Sequence, residues 1–209
     1  MKPPITTDLQ EAVRIITAGR IVAFPTGTSY GLAVDALQGH ALQRLRNLKH
    51  RPDEKSFTVF ARPELVDTFF RLNKEEQAFL QKYAGQPFTV LLQPAKALEH
   101  LTQEGRVGLR LIDHPLMQQL AEAVQVPLTA TSANISGRQP CADVVCIQDQ
   151  FPYLLDPNDV AIKRAGPTTY DLSLGCILDG GTLPVGQQST IVRYAKGNWQ
   201  TIRQGAGAL

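Results

Sequence analysis

Two short segments combine residue types that could bind and activate an anion. In the first, Lys49 and Arg51 stand two residues apart, and Pro52 disfavours helical geometry at Arg51. In an extended backbone the side chains at i and i+2 lie on the same side. The ammonium and the guanidinium could therefore converge on one phosphate or carboxylate, with Lys55 as a further cation nearby.

The second segment is TATSANISG, residues 129–137, which follows a predicted strand. Ser132 and Asn134 are again two residues apart, and they are neutral donors that can hold an anion. Loops that follow strand ends are where open α/β sheets bind their ligands. Taken alone, K-x-R is most often solvated and S-x-N is most often a turn or a helix cap. Together they are consistent with one anion site between a cationic loop and a polar loop.

A third segment, GTSYG at 27–31, matches the G-x-S-x-G nucleophile elbow of α/β-hydrolases, with Ser29 as the nucleophile. That elbow needs several preceding strands and a histidine in the C-terminal part of the chain. Only one strand is predicted before Ser29, and the last histidine is His114. We therefore expect the glycines to allow a tight turn and the hydroxyls to line a pocket.

Composition is that of a globular protein, with 43% hydrophobic and 19% charged residues among 209. A net charge of +2 does not indicate nucleic-acid binding by the whole chain. Six basic residues nevertheless fall between positions 44 and 62, against two acidic ones, which suits an anionic ligand or an RNA backbone. Neither standard glycine-rich nucleotide motif is present.

Three cysteines without a C-x-x-C pair predict neither a disulfide framework nor a zinc site. The N-terminus lacks the apolar run of a signal peptide, and no segment is long and apolar enough for a membrane span. A cytoplasmic protein that does not contact membranes is the expectation.

Predicted helices and strands alternate, which indicates an α/β fold. We expect one domain over residues 1–209, with a surface excursion at 156–175. The first predicted helix begins at Leu9 after a capping box, and further helices are predicted at 41–49, 63–70, 74–83 and 115–124. The predicted strands are 21–24, 56–60, 88–92, 106–111, 128–131, 175–179, 189–194 and 199–203.

Six motifs in order then resemble the YrdC-like threonylcarbamoyl-AMP synthase family over nearly the whole chain. They are PTGTSYGLAVDA, LKHRPDEKSFTVF, GRVGLRLIDHPL, PLTATSANISGRQP, ILDGGTLPVGQQSTIV and IRQGA. The resemblance implies a single-domain, twisted, open mixed sheet with helices on both faces and a positively charged concave cavity.

The resemblance also implies an enzyme, a nucleotidyltransferase. It would condense L-threonine, bicarbonate and ATP into threonylcarbamoyl-adenylate and pyrophosphate, for modification of adenosine 37 in tRNA. Mg²⁺ would come with ATP, without a dedicated metal site in the protein. Other tRNA threonylcarbamoylation proteins would complete the transfer, and tRNA or double-stranded RNA are possible direct partners.

By the same resemblance, nine side chains would form the site. Lys49 and Arg51 would contact the nucleotide phosphates and the carbamate, and Ser132 and Asn134 would act from the opposite wall, so these four are the predicted catalytic residues. The remaining ATP contacts would be Lys55 and Arg203. The remaining threonine contacts would be Thr28, Arg110 and Ser189.

Two motifs depart from the family pattern. The usual P-T-E-T has Gly27 in place of the glutamate, which creates the apparent elbow, and the usual P-G-P-x-T reads GQPFT. Two other functions stay open from the residues: a non-catalytic RNA-binding module that uses the same basic concavity, and a serine hydrolase.

Overall fold

A computed structural model describes residues 2–151, 174–184 and 186–209 of the chain. The helices are α1 (Leu9–Thr17), α2 (Gly39–Leu48), α3 (Val66–Phe69), α4 (Lys74–Lys82), α5 (Pro115–Val124) and α6 (Val144–Gln150), with 3₁₀ turns at Pro63–Leu65 and Lys96–Leu101. The strands are β1 (Ile5–Thr6), β2 (Ile21–Pro25), β3 (Tyr30–Ala33), β4 (Val59–Phe60), β5 (Phe70–Arg71), β6 (Phe88–Pro94), β7 (Val107–Arg110), β8 (Leu128–Thr129), β9 (Thr131–Ser132), β10 (Leu174–Leu178), β11 (Thr190–Ala195) and β12 (Asn198–Arg203).

The described strands form two mixed sheets. The first has five strands in the order β1-β10-β2-β3-β9, parallel as far as β2 and antiparallel after it. The second has seven strands, in the order β12-β11-β6-β7-β4-β8, with β5 paired to β6. In it, β11 runs parallel to β6 and β7 runs parallel to β4, whereas the other pairs are antiparallel. The predicted α/β class with a mixed sheet is confirmed.

Strand alternation separates a polar face of the second sheet from the core. Thr89 and Leu91 of β6 lie beside Gly108 and Arg110 of β7 on the face that lines a cavity. Successive residues of a strand point to opposite faces, so the intervening residues enter the core. These are Val90, Leu92, Val107 and Leu109. The cavity therefore has a floor made of one face of a rigid sheet.

Agreement with the predicted elements is closest where local signals are strong. Helix α1 is capped by Asp8, whose side chain accepts from the backbone N–H of Gln10, and α5 has the predicted bounds. The strand predicted at 56–60 is reduced to Val59–Phe60, and the helix predicted at 63–70 divides into a 3₁₀ turn and α3. The excursion predicted at 156–175 lies, up to residue 173, outside the described residues.

The prediction that the cysteines form no disulfide is wrong, because Cys141 and Cys146 are joined by one. Asp143 caps α6 by accepting from the N–H of Cys146. The first turn of the helix thus brings Cys146 back to Cys141, a proximity that the five-residue spacing alone does not indicate. Cys176 is buried and free. None of the helices in the described residues is both long and apolar enough to cross a bilayer.

The C-terminal segment is held against one wall of the cavity by the close approach of Gly205. A Cβ atom built on Gly205 would lie 2.0 Å from the carbonyl oxygen of Gln188 and 2.6 Å from the carbonyl carbon of Ser189. The Gly205 N–H donates to Thr190 Oγ1 at 3.0 Å. Only glycine allows the backbone at 205 to lie this close to residues 188 and 189. Both of these residues, Gln188 and Ser189, line the cavity.

We predict that Gly205→Ala destabilises the protein by about 1–3 kcal/mol, because the new methyl group meets backbone atoms that cannot move aside without disturbing β11. Urea-induced unfolding measures the change. The matched control is Gly39→Ala at the start of α2, where an added Cβ meets no atom within 4 Å. Equal stability of the two variants would contradict the prediction.

Candidate active site

One cavity of about 540 Å³ lies on the polar face of the second sheet, a volume typical of small-molecule sites. Residues of the hairpin loop between β2 and β3 and of the C-terminal hairpin β11–β12 also line it. Arg51 and Ser132 belong to the same lining. Loops and strand ends from distant parts of the chain thus surround one space.

Positive charge dominates the lining of this cavity. Among the described residues, the charged ones in the lining are four arginines, Arg51, Arg106, Arg110 and Arg203, and a single carboxylate, Glu104. Burial, and then the positive charge of Arg110, lowers the pKa of Arg203. Like charges that repel each other at one site favour the binding of an anion, because the anion relieves the repulsion.

Arg51 is held at the edge of the cavity by its own loop. Its guanidinium donates to the carbonyl oxygens of Lys55 and Ser56 and lies 5.0 Å from the centroid of the Phe57 ring. Arg46 lies 5.1 Å from the same centroid, and its charge, after burial, lowers the pKa of Arg51. The loop therefore orients a cation whose charge no neighbouring carboxylate in the described residues neutralises by a salt bridge.

Lys49 is placed behind the cavity wall, only 2% exposed. Its ammonium donates to the carbonyl oxygen of Ser132 and, at 2.7 Å, to that of Asn134, which are 83 and 85 positions away in the chain. The Asn134 Oδ1 lies 3.5 Å from the same nitrogen. The ammonium thus fastens the S-x-N loop to the end of α2.

Asn134 also points away from the cavity. Its amide nitrogen donates to the carbonyl oxygens of Ile135 and Arg138, and its Oδ1 accepts from Ser132 Oγ at 2.5 Å. Ser132 itself lines the cavity and is partly exposed. The asparagine therefore shapes the loop, whereas the serine belongs to the cavity lining.

Arg110 closes the side of the cavity nearest the β2–β3 loop. Its Nη2 donates to the carboxylate of Asp113 and lies 3.3 Å from Thr28 Oγ1. The Arg110 Nε is buried and has no hydrogen-bond partner among the described residues. Thr28 and Arg110 thus form a donor pair at one end of the cavity.

Ser189 and Arg203 lie together on the C-terminal hairpin, on the side of β6 away from β7. Ser189 Oγ is 2.9 Å from Thr89 Oγ1, and Arg203 donates to the Ser189 carbonyl oxygen at 2.9 Å. Arg203 also donates to Gln188 Oε1 at 2.6 Å. These contacts hold the guanidinium against the cavity wall.

Six of the nine predicted site residues line the cavity, and three do not. Those in the lining are Thr28, Arg51, Arg110, Ser132, Ser189 and Arg203. Lys49 and Asn134 support the wall from behind, and Lys55 is exposed outside the lining. The K-x-R and S-x-N segments do meet, as predicted, but Lys49 makes the contact through carbonyl oxygens. The ligand roles of all nine stay predictions.

Arg106 and Thr89 also line the cavity and were not predicted from the sequence. Arg106 lies four residues before Arg110 in the GRVGLRL motif. Residues alternate between the two faces of a strand, but the sequence does not tell which face of β7 lines the cavity, so it does not identify Arg106 as a site residue. Arg106 donates to the Leu91 carbonyl oxygen and lies 3.8 Å from Glu76.

The nucleophile elbow is excluded by the topology around Ser29. The loop joins the antiparallel strands β2 and β3, whereas an elbow joins a strand to a helix. Ser29 Oγ donates to the Tyr30 carbonyl oxygen at 3.3 Å, and no histidine of the described residues hydrogen-bonds to it. Its hydroxyl is a cavity-lining group.

The buried Lys49 predicts a specific pH dependence of stability. Burial, and then the charge of Arg51, lowers the pKa of Lys49 to about 7. Between this value and the unfolded value of about 10.4, the unfolded state binds more protons. The contribution of Lys49 to stability therefore rises with pH, by at most about 1.4 kcal/mol per pH unit.

We expect the free energy of unfolding of wild type, relative to Lys49→Met, to increase between pH 7.5 and pH 9. Groups common to both proteins cancel in this difference, which urea titrations at the two pH values measure. A difference that stays constant would show that Lys49 remains charged over this range.

Comparisons with known proteins identify the family of this chain. The family described as Telomere recombination, which joins Sua5, YciO and YrdC, matches residues 14–205. A protein of Vibrio vulnificus (strain YJ016) named threonylcarbamoyl-AMP synthase is 33% identical over 156 residues, which are 70% of this chain and 82% of that protein.

Solved structures share the fold. P. abyssi Sua5 complexed with L-threonine matches with a TM-score of 0.79 at 24% identity, over 94% of this chain and 54% of that one. E. coli YciO matches with a TM-score of 0.72 at 22% identity, over 98% and 94% of the two chains. With the match over residues 14–205, these findings show that the chain belongs to the Sua5/YciO/YrdC family.

Proposed function

We propose that this chain is a threonylcarbamoyl-AMP synthase, which condenses L-threonine, bicarbonate and ATP into threonylcarbamoyl-adenylate and pyrophosphate. The observation that carries the proposal is the group of four arginines around one cavity, in a member of a family whose relatives carry this name. A nucleoside triphosphate and an amino-acid carboxylate together supply the negative charge that such a cavity favours.

The two ends of the cavity suit different parts of the substrates. At one end, Arg110 and Thr28 offer donors from two elements, which fits the carboxylate of threonine. Arg51 and Arg203 also line the cavity and would contact the phosphates, and Ser132, whose hydroxyl donates to Asn134 Oδ1, lies in the same lining. Lys49 and Asn134 would act through Ser132, by holding its loop in place.

The chemistry needs positioning and charge stabilisation more than a nucleophilic side chain. The threonine amine and dissolved carbon dioxide or bicarbonate give N-carboxythreonine, whose carbamate oxygen attacks the α-phosphorus while pyrophosphate leaves. Negative charge then grows on the α-phosphate oxygens and on the leaving group. Fixed guanidinium groups at these places would lower the barrier.

Mg²⁺ would enter with ATP and neutralise part of the phosphate charge. The donor set of the cavity fits an ion held mainly by phosphate oxygens, since Glu104 is the only carboxylate in the lining within the part of the chain that the structure describes. The adenylate would pass to other proteins for N6-threonylcarbamoyladenosine formation at position 37 of tRNA. We place this activity in the cytoplasm, where ATP and tRNA are present; direct tRNA binding is part of the proposal.

The decisive experiment incubates the purified protein with ATP, Mg²⁺, bicarbonate and labelled threonine. We expect a labelled threonylcarbamoyl-adenylate and an equal amount of pyrophosphate, with no pyrophosphate when threonine is omitted. Salt-sensitive tRNA binding without any adenylate would instead support the RNA-binding module.

Arg51→Ala should reduce threonine-dependent pyrophosphate release about ten- to hundredfold, because a charge-assisted contact to phosphate contributes about 1.5–3 kcal/mol. Arg62→Ala is the matched control: it removes a cation of the same basic region that pairs with the exposed Glu64 outside the cavity. Similar activities of the two variants would remove Arg51 from the site.

Ser29→Ala should retain most of the activity, since this hydroxyl donates only to a neighbouring carbonyl oxygen and takes no part in the proposed reaction. Steady-state pyrophosphate release measures it. Complete loss, with unchanged thermal unfolding, would mean that the hydroxyl itself reacts.

A further inference from the structure

We propose that Asp113 is a positioning residue that presets Arg110 and the loop 26–29 for the carboxylate of the amino-acid substrate. This inference rests on the proposed function and deepens it, because it names the group that fixes the amino-acid end of the cavity. Asp113 itself is absent from the cavity lining and acts through its neighbours.

The carboxylate of Asp113 joins two elements that are far apart in the chain. Its Oδ2 accepts from Arg110 Nη2, three residues earlier, at the end of β7. Its Oδ1 accepts from the backbone N–H of Gly27 at 3.0 Å, across 86 positions of sequence. The side chains of Arg110 and Asp113 are 8% and 3% exposed, so water competes little for these contacts.

Gly27 has no side chain at the point where this carboxylate lies. A Cβ atom on Gly27 would lie 2.7 Å from Asp113 Oδ2 and 2.8 Å from Asp113 Cγ. Any larger residue must therefore displace a carboxylate that two hydrogen bonds hold. The departure of this loop from the P-T-E-T pattern thus makes room for Asp113.

One carboxylate consequently orders three groups at the same end of the cavity. It holds the Arg110 guanidinium, it fixes the backbone at Gly27, and through Arg110 Nη2 it keeps Thr28 Oγ1 within 3.3 Å of a cation. A ligand carboxylate then meets donors whose rotamers are already restricted, which lowers the entropy lost on binding.

Stability alone gives a weak reason for such a pair. The desolvation of two buried charges offsets much of their attraction, so a buried ion pair stabilises a fold little compared with apolar residues of similar size.

The first test is Asp113→Asn, which keeps the shape and an oxygen acceptor for Gly27 but removes the charge facing Arg110. We expect KM for threonine to rise about tenfold or more and KM for ATP to stay within twofold. Asp149→Asn, at a side chain that is 67% exposed, is the matched control and should change neither. Calorimetric titration of threonine should show the same loss of affinity.

A lower threonine KM in Asp113→Asn would mean that Asp113 competes with the ligand for Arg110, and this would overturn the proposal. Equal increases of both KM values would show a general structural role and would also overturn it.

The second test is a double-mutant cycle between Gly27 and Asp113. Gly27→Ala should raise the threonine KM in wild type, because the methyl group displaces the carboxylate, but should add little in an Asp113→Ala background. Effects that multiply independently in the double variant would contradict the proposed contact.

The two proposals fail in different ways. Wild-type protein that binds threonine without forming an adenylate would overturn the proposed function, and calorimetry on the variants would then decide the role of Asp113. Active wild type with an unchanged Asp113→Asn variant would overturn the inference alone. Absence of threonine binding to wild type would overturn both.

Discussion

The candidate site depends on one buried contact, between the ammonium of Lys49 and the carbonyl oxygens of Ser132 and Asn134. It joins the end of α2 to the loop that follows β9. The pairing of β9 with β3 fixes the start of this loop, and the Lys49 ammonium, together with the hydrogen bond from the Ser136 N–H to the Lys49 carbonyl oxygen at 2.9 Å, ties the loop to the end of α2 close to Arg51. The charge of the ammonium is therefore used for architecture, at the cost of burial that lowers its pKa to about 7.

The cavity is built as a set of cations that are oriented by neutral partners. Arg51 and Arg203 donate mainly to backbone carbonyl and amide oxygens, which fix their direction without cancelling their charge. In the described residues two of the lining arginines are paired with buried carboxylates, Arg110 with Asp113 and, at 3.8 Å, Arg106 with Glu76. The cavity thus combines cations whose charge is not balanced by a carboxylate with cations whose charge is partly balanced, and the proposed substrates, a polyanion and an amino acid, differ in the same way.

Local sequence signals predicted the elements whose ends are determined by nearby residues. Helix α5 begins at Pro115 and ends with Gln125 in a left-handed conformation, and its predicted bounds are confirmed. Strand β3 was not predicted, because its partner strands β2 and β9 supply its hydrogen bonds from outside the local window. The disulfide was missed for a similar reason, since only the first turn of α6 brings the two cysteines together.

Periodicity in the sequence indicates the α/β class, and motifs in a set order carry the resemblance from which the family and six of the lining residues follow. That Lys49 supports the wall while Arg51 lines the cavity could be seen only in the folded chain. The prediction that residues 49–51 are extended is wrong, because Lys49 ends α2 in right-handed helical geometry and His50 has a φ of 49°. The two side chains therefore diverge, and Lys49 turns to the carbonyl oxygens of the S-x-N loop whereas Arg51 lines the cavity. The hydrogen bond from Gly27 to Asp113 could not be predicted either, because the two residues are 86 positions apart and meet only in the folded chain.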